Sequence, residues 1–341
     1  MSAATVAPAT KRVGKYTLAI DQVRIAQRAT VVGPREGAGP LGKWFDQVEQ
    51  DHMAEQPTPE KAERYFLKQA VQLVLKKAGL SPDEIDFFLS GDLLNQVITS
   101  SFTAREFGIP FFGLFNACAT FGAALTLGSV LIDGGYANRI IIGASSHYQS
   151  AERQYRYPIE LNVQRKATNQ WTVTGAGAAL LARDGSGPRI TMVTPGRVVD
   201  YGLSDTNDMG SAMAPAAADT LLRHLSDTGR SIGDYDLIVT GDLSAQGSKM
   251  FRLLAKDAGI TLGNTHQDCG VLIYSQEQQP GAGGSGAACS TTVILSYILS
   301  EMENTRYRRV LAIPTGALHN PLTASQGETI PCIAHAVVFE L

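Results

Sequence analysis

The chain repeats itself, and that repeat limits its fold more than any other feature. Gly79-Leu-Ser-Pro-Asp-Glu-Ile-Asp-Phe-Phe-Leu-Ser-Gly-Asp-Leu-Leu-Asn-Gln96 aligns without a gap on Gly229-Arg-Ser-Ile-Gly-Asp-Tyr-Asp-Leu-Ile-Val-Thr-Gly-Asp-Leu-Ser-Ala-Gln246, an offset of 150, with seven of eighteen positions identical. Further echoes follow in the same order. Ala117-Cys118-Ala119-Thr120 returns as Ala288-Cys289-Ser290-Thr291, each ahead of a helical run. Arg-led apolar runs start at Arg139 and Arg309, and each is followed by a histidine, His147 or His319. Each half closes with one more strand pattern, Gly177 to Leu181 and Ile333 to Phe339. Two long copies describe a duplicated pair of α/β units rather than a solenoid, and alternating strands and helices call for mostly parallel sheets.

Local signals fill in each unit. Thr58-Pro59-Glu60 opens a helix, Phe66, Ala70, Leu73, Val74 and Ala78 share its apolar face, and Gly79 ends it. Ser81-Pro82-Asp83-Glu84 is a capping signature for one more turn. Tyr16 to Ile20 and Val23 to Ala26 read as early strands, Thr30 to Gly42 as a Gly/Pro-rich loop, and residues 1–12 as a loose tail. Ala214 to Asp219 leads into a helix. The halves divide as 13–185 and 186–341, the first carrying an inserted loop over about 150–171.

The chemistry concentrates between Phe111 and Gly128. An aromatic run bounded by Pro110 reads as a buried strand and stops at Asn116. Cys118 then begins an uncharged, small-residue run that reads as a helix buried on most of its surface. A helix start presents unpaired N–H groups and the positive end of the dipole, which lowers a thiol's pKa and attracts a carboxylate. Cys118 is therefore a nucleophilic thiolate, part of an anion seat, or a packed core cysteine.

Composition removes other classes. Among 341 residues the net charge is −3 and no long basic run occurs, which argues against nucleic-acid binding. Four cysteines without metal-type spacing indicate reduced thiols in a cytoplasmic compartment rather than a disulfide framework. The Asp residues at 200, 205, 208 and 219 do not fit a calcium loop. No apolar run reaches spanning length, so any membrane association is expected to be peripheral.

A duplicated α/β unit with a cysteine at the start of a central helix resembles the thiolase superfamily, which implies a five-layer α/β/α/β/α fold of two duplicated halves. Cys332-Ile-Ala-His-Ala-Val-Val-Phe-Glu340 looks like that superfamily's C-terminal strand. More closely, residues from about 15 to the C-terminus resemble the stage V sporulation protein AD family. The carrying stretches are Gly91-Asp-Leu-Leu-Asn-Gln96, Ser145-Ser-His147 with Ala151 to Pro158, Asp208 to Thr220, Gly283-Gly-Ser-Gly286 and Ile330 to His335. That resemblance implies binding of dipicolinic acid (pyridine-2,6-dicarboxylate), alone or as its calcium chelate, and a part in its uptake into the developing spore. It also implies a cytoplasmic forespore protein at the inner spore membrane, partnered by integral-membrane proteins of the same transport system. No cofactor is implied, and by analogy with the superfamily the chain is expected to form a homodimer.

Catalysis on this scaffold needs an imidazole beside the cysteine. The strand end where ketoacyl synthases carry one reads Thr240-Gly-Asp-Leu-Ser244, and Pro280 stands where thiolases carry another. A non-catalytic binding protein is therefore expected, with an acyltransferase using Cys118 as the alternative. A flat dianion needs a slot and donors for two carboxylates. The expected site is Asp92, Leu93, Asn95, Cys118, His147, Gly284 and Ser285, with the amides near Cys118 holding one carboxylate and the Gly283 to Gly286 backbone the other. Phe115 or Phe121 is a further candidate to face the ring. That Asp92 has a repeat partner, Asp242, suggests that each caps backbone N–H groups after its strand, with Asp92 kept as a pocket-lining candidate, and the basic stretch of Arg153, Arg156, Arg165 and Lys166 is expected to cap the pocket.

Overall fold

The computed structural model describes residues 11–155 and 166–341. Its first half has strands β1 (Thr17–Val32), β2 (Phe87–Gly91), β3 (Phe111–Gly113), β4 (Arg139–Ser146) and β5 (Gly175–Ala182). The second half has β6 (Arg189–Thr194), β7 (Leu237–Thr240), β8 (His266–Asp268), β9 (Arg309–Ile313) and β10 (Ala336–Glu340). Their order across one continuous sheet is β8-β7-β9-β10-β6-β1-β5-β4-β2-β3. Each half therefore shows the same arrangement, third-second-fourth-fifth-first, with its fifth strand antiparallel to both neighbours. The duplication legible in the residues is thus a duplication of topology.

The two early strands expected near residue 20 are one strand, β1. It pairs with β6 over Leu18–Arg24 and with β5 over Arg24–Val32, and its register slips between Ala19 and Val23. A shift of this kind bends a strand and lets one ribbon serve two sheet layers.

The layers follow from side-chain alternation along strands buried on both faces. On β5, Ala176, Ala178 and Leu180 join an outer cluster, while Ala179 and Leu181 join the central one. On β10, Val337 and Phe339 face the centre, and Ala336 and Val338 the opposite outer side. Helix α1 (Pro59–Ala78) covers the first outer face with Phe66, Leu67 and Val71, and α2 (Ile98–Phe107) lies beside it. The central layer holds α3 (Thr120–Asp133), followed in the chain by α4 (Tyr148–Tyr155) at the sheet's end. Helices α5 (Met209–Thr228) and α6 (Ser244–Asp257) cover the second outer face with Leu221 and Phe251. The twin of α3, α7 (Ala287–Val293), completes the central layer.

Sequence signals for α1 hold in detail. The Thr58 side chain accepts from Lys61 N, and Gly79 closes the helix at φ 67°. The turn at Pro82–Glu84 carries its capping box, and Ser231 with Asp234 forms the same box in the second half. Three expectations fail. The sheet is not mostly parallel, since five of the nine neighbouring pairs in its strand order are antiparallel. The Phe111 strand is not buried: β3 is an edge strand with Phe112 46% exposed. Helix α5 starts at Met209, capped by Asp208, and contains Pro215.

The repeated Gly91 and Gly241 have a shared physical cause. A Cβ on Gly91 would lie 1.9 Å from the Leu114 carbonyl oxygen, and one on Gly241 2.7 Å from Thr315 N. Backbone cannot yield as a side-chain tip can, so both sites exclude any other residue. Gly91→Ala is expected to lose about 3 kcal/mol of stability, the upper end of ordinary overpacking costs. Urea unfolding checks this, and an unchanged midpoint would refute the close approach.

Candidate functional site

The parallel strands of both halves end on one side of the molecule, and a cleft lies between those ends. Cys118 stands at its base in a single turn, Ala117–Ala119, that precedes α3. Ala117 takes φ 49°, a left-handed conformation that turns the chain sharply from β3 toward the helix. Behind this turn, His335 locks Asn116. Its Nδ1 accepts from Gly196 N at 3.1 Å, and its Nε2 pairs with Asn116 Oδ1 at 3.2 Å. These partners assign the proton to Nε2, and burial lowers the His335 pKa to about 4, so the ring is neutral.

The Cys118 thiol and the Asp242 carboxyl line the cleft together, close enough for each to shift the other's pKa. Asp242 follows β7 and is 1% exposed. Its Oδ1 accepts from Thr315 Oγ1 at 2.8 Å and its Oδ2 from Gly286 N at 3.1 Å. Burial lifts its pKa to about 6 against the pull of these bonds. Burial first, and then the Asp242 charge, push the Cys118 thiol well above its ordinary pKa. The expectation of a thiol acidified by a helix start therefore fails. Burial and an adjacent acid outweigh the dipole of a helix that begins only at Thr120.

Around this pair, Leu93, Met209 and Met213 form apolar walls, and Ser285, Gln170, Glu152 and His319 supply polar groups. Gln170 Nε2 donates to the Asp242 carbonyl and, at 2.9 Å, to Ser244 Oγ. The cleft has an atom-free volume of about 470 Å³, open mouth included.

Of the residues expected from sequence, Leu93, Cys118 and Ser285 line this cleft. Four lie elsewhere. Asp92 is sealed, its carboxylate accepting from Leu94 N at 3.0 Å and Ser100 N at 2.8 Å. Asn95 is exposed on a turn, its N–H bonded to Gln154 Oε1. His147 bonds the His52 carbonyl at 2.9 Å and accepts from Gln149 N, away from the cleft. Gly284 gives its carbonyl to Ser244 Oγ and pairs with Trp171. The Gly286 N–H, expected to face a ligand, is bonded to Asp242. Phe121 is core and Phe115 is 45% exposed, so neither meets the cleft. In the basic stretch Arg153 pairs with Glu60 and Lys166 with Asp205, while Arg156 and Arg165 lie outside the described residues.

Sequence reasoning missed Asp242, Gln170, Glu152, Met209 and Met213. The repeated Gly-Asp-Leu flagged Asp242 but could not say which copy faces open space.

The profile of the family described as stage V sporulation protein AD (SpoVAD) matches residues 14–340. The chain belongs to that family. It is 45% identical over 331 residues to stage V sporulation protein AD of Bacillus subtilis (strain 168), covering 97% of this chain and 98% of the relative. Solved structures share the fold at much lower identity. A 3-oxoacyl-[acyl-carrier-protein] synthase III from Aquifex aeolicus VF5 aligns over 94% of this chain and 100% of its own, with TM-score 0.59 and 15% identity. Cerulenin-bound OleA from Xanthomonas campestris aligns over 94% and 98%, with TM-score 0.63 and 15% identity. The thiolase-like fold of this SpoVAD family member follows from that likeness.

A thiol held protonated reacts slowly. Iodoacetamide is expected to alkylate Cys118 at pH 7.5 at least tenfold more slowly than a free cysteine peptide, with Asp242→Asn speeding the reaction. Peptide mapping by mass spectrometry follows it, and fast labelling of the unaltered protein would contradict the geometry.

Proposed function

We propose that this SpoVAD family member is a non-catalytic carrier that captures dipicolinate during sporulation and takes part in its uptake into the spore. One observation carries the non-catalytic part: the buried carboxyl of Asp242 lies beside the Cys118 thiol and opposes its ionisation. A carboxyl with a pKa near 6 cannot hold a thiolate as an ion pair, and its charge opposes thiolate formation. The family's sporulation role and the mixed apolar and polar lining of the cleft support the ligand. Met209 and Met213, four residues apart on α5, are unbranched side chains that can swing aside to admit a ring. Ser285 and His319 supply polar contacts for carboxylate oxygens.

Titration calorimetry with dipicolinate, run beside an acyl-CoA hydrolysis assay, tests this. Saturable binding without turnover is expected, and Cys118→Ala should weaken it about fivefold through looser packing of the cleft wall, worth ~1 kcal/mol. A Cys118 acyl adduct that turns over would favour the acyltransferase instead.

In this reading the carrier sits at the forespore face of the inner spore membrane and passes its ligand to integral-membrane proteins of the same transport system. No helix among the described residues is long and apolar enough to cross a membrane. The protein also pairs with itself through β3. That strand ends the sheet with an unpaired edge, and Phe112, Phe115, Ile98 and Phe102, each at least 37% exposed, surround it. Bare edges and clustered exposed aromatics are covered in stable proteins. Light scattering should give a dimer for the natural chain and a monomer for Gly113→Pro or Phe112→Lys; a monomeric natural chain would remove this part.

A further inference from the structure

The cleft presents a buried acid to a ligand that is itself an acid. Asp242 has no ion-pair partner among the described residues, and its two hydrogen-bond donors, Thr315 Oγ1 and Gly286 N, are neutral. Among the described residues, no lysine or arginine lines the cleft. Cys118, Cys269 and Cys289 are thiols pushed well above their ordinary range by burial. Asp268, on the adjoining strand β8, is a second buried acid. Glu152 from α4 and His319 also line the cleft, and both hold partners of their own. A dianion entering beside an ionised Asp242 would meet like charge at short range in a poorly screened site.

Resting on the dipicolinate reading above, we propose that the ligand is bound together with one proton, held between a ligand carboxylate and the Asp242 carboxyl. No covalent bond forms or breaks. The proton comes from solvent, Asp242 becomes a neutral donor, and the ligand carboxylate accepts its hydrogen bond. This turns the apparent obstacle into the recognition element, because a shared proton converts two repelling oxygens into a donor–acceptor pair.

The sign follows from linkage. The free Asp242 carboxyl has a pKa of about 6, so below that pH the proton is already in place. Binding is then insensitive to pH. Above it each bound ligand takes up one proton, and affinity falls about tenfold per pH unit. Acidification therefore loads the site and alkalinisation empties it.

The test is calorimetry with dipicolinate at pH 5.5, 6.5, 7.5 and 8.5 in pairs of buffers that differ in ionisation enthalpy. At pH 7.5 the expected uptake is close to one proton per ligand, with affinity tenfold weaker at 8.5 than at 7.5 and flat below 6. Asp242→Asn carries a permanent amide donor and should bind with no proton uptake and no pH slope, more tightly than the natural chain at pH 8.5. His319→Gln should keep the slope. Binding of dipicolinate by the natural chain without proton uptake would overturn the inference while leaving the binding reading intact, and this result needs no variant to fold. A slope that disappears in His319→Gln but persists in Asp242→Asn would also overturn it. No binding heat at any pH would remove the binding reading itself, and the inference with it.

Discussion

Strand β1 is hydrogen-bonded to both halves of the molecule, and the position of every other element follows from that. Its first third lies against β6 and the remainder against β5. The two half-sheets therefore cannot separate or turn independently. Because the order within each half is the same, the seam sets two copies of one strand-end motif facing each other across α3 and α7. A cleft between strand ends is then a consequence of topology rather than of any particular side chain. What the side chains decide is which half furnishes its chemistry.

The two Gly-Asp-Leu copies show how that symmetry is broken. In the first half, Asp92 does its own local work, capping the backbone at Leu94 and Ser100 at the start of α2. In the second half a neighbour takes over the equivalent task. Asp268, at the end of β8, accepts from Leu243 N at 3.0 Å and Ser244 N at 2.8 Å, and also from Val271 N at 3.2 Å. With the start of α6 satisfied by Asp268, Asp242 is released to face Cys118. The strand at the matching position in the first half, β3, ends in Gly113, with Leu114 after it, and offers no carboxylate. One acidic residue on an adjacent strand therefore decides which of two repeated aspartates reaches the cleft.

That relay also explains what can be read from the residues alone. The duplication, the caps of α1, the Gly-Asp-Leu turns and the buried α3 rest on contacts within a few residues or on a repeat visible by alignment, and they are legible. So are Leu93, Cys118 and Ser285, which sit on the motifs themselves. Asp92 does the backbone capping expected of both copies, whereas Asp242 departs from it, because the deciding residue is Asp268, 26 positions beyond Asp242. The thiol pKa departs from expectation for a similar reason. A dipole argument sees the helix start, whereas the stronger influences, burial and the Asp242 carboxyl, come from the other half of the chain. Exposure of β3 is invisible in the residues because an aromatic edge strand and an aromatic buried strand share one local pattern.

The same interior gathers more acid than a core of this kind needs. Glu63 is fully buried, held by Ser145 Oγ at 3.0 Å and Ser150 Oγ at 2.7 Å, and burial together with nearby Asp92 raises its pKa. Ser150 belongs to α4, whose Ala151 and Glu152 line the cleft, so this carboxyl fixes one wall of the site. Burial raises Asp268 to about 7 and Asp242 to about 6. An acid with a raised pKa holds its proton more firmly folded than unfolded. It therefore favours the fold at low pH, and that contribution drains away as pH climbs from the ordinary carboxyl range through the raised value. The contribution of these groups to stability therefore leans toward the acid side of neutrality. Replacing these acids by apolar residues would relieve a desolvation cost. It would also remove the group that governs Cys118 and the serine clamp that holds α4, so the cost stays where the site is built.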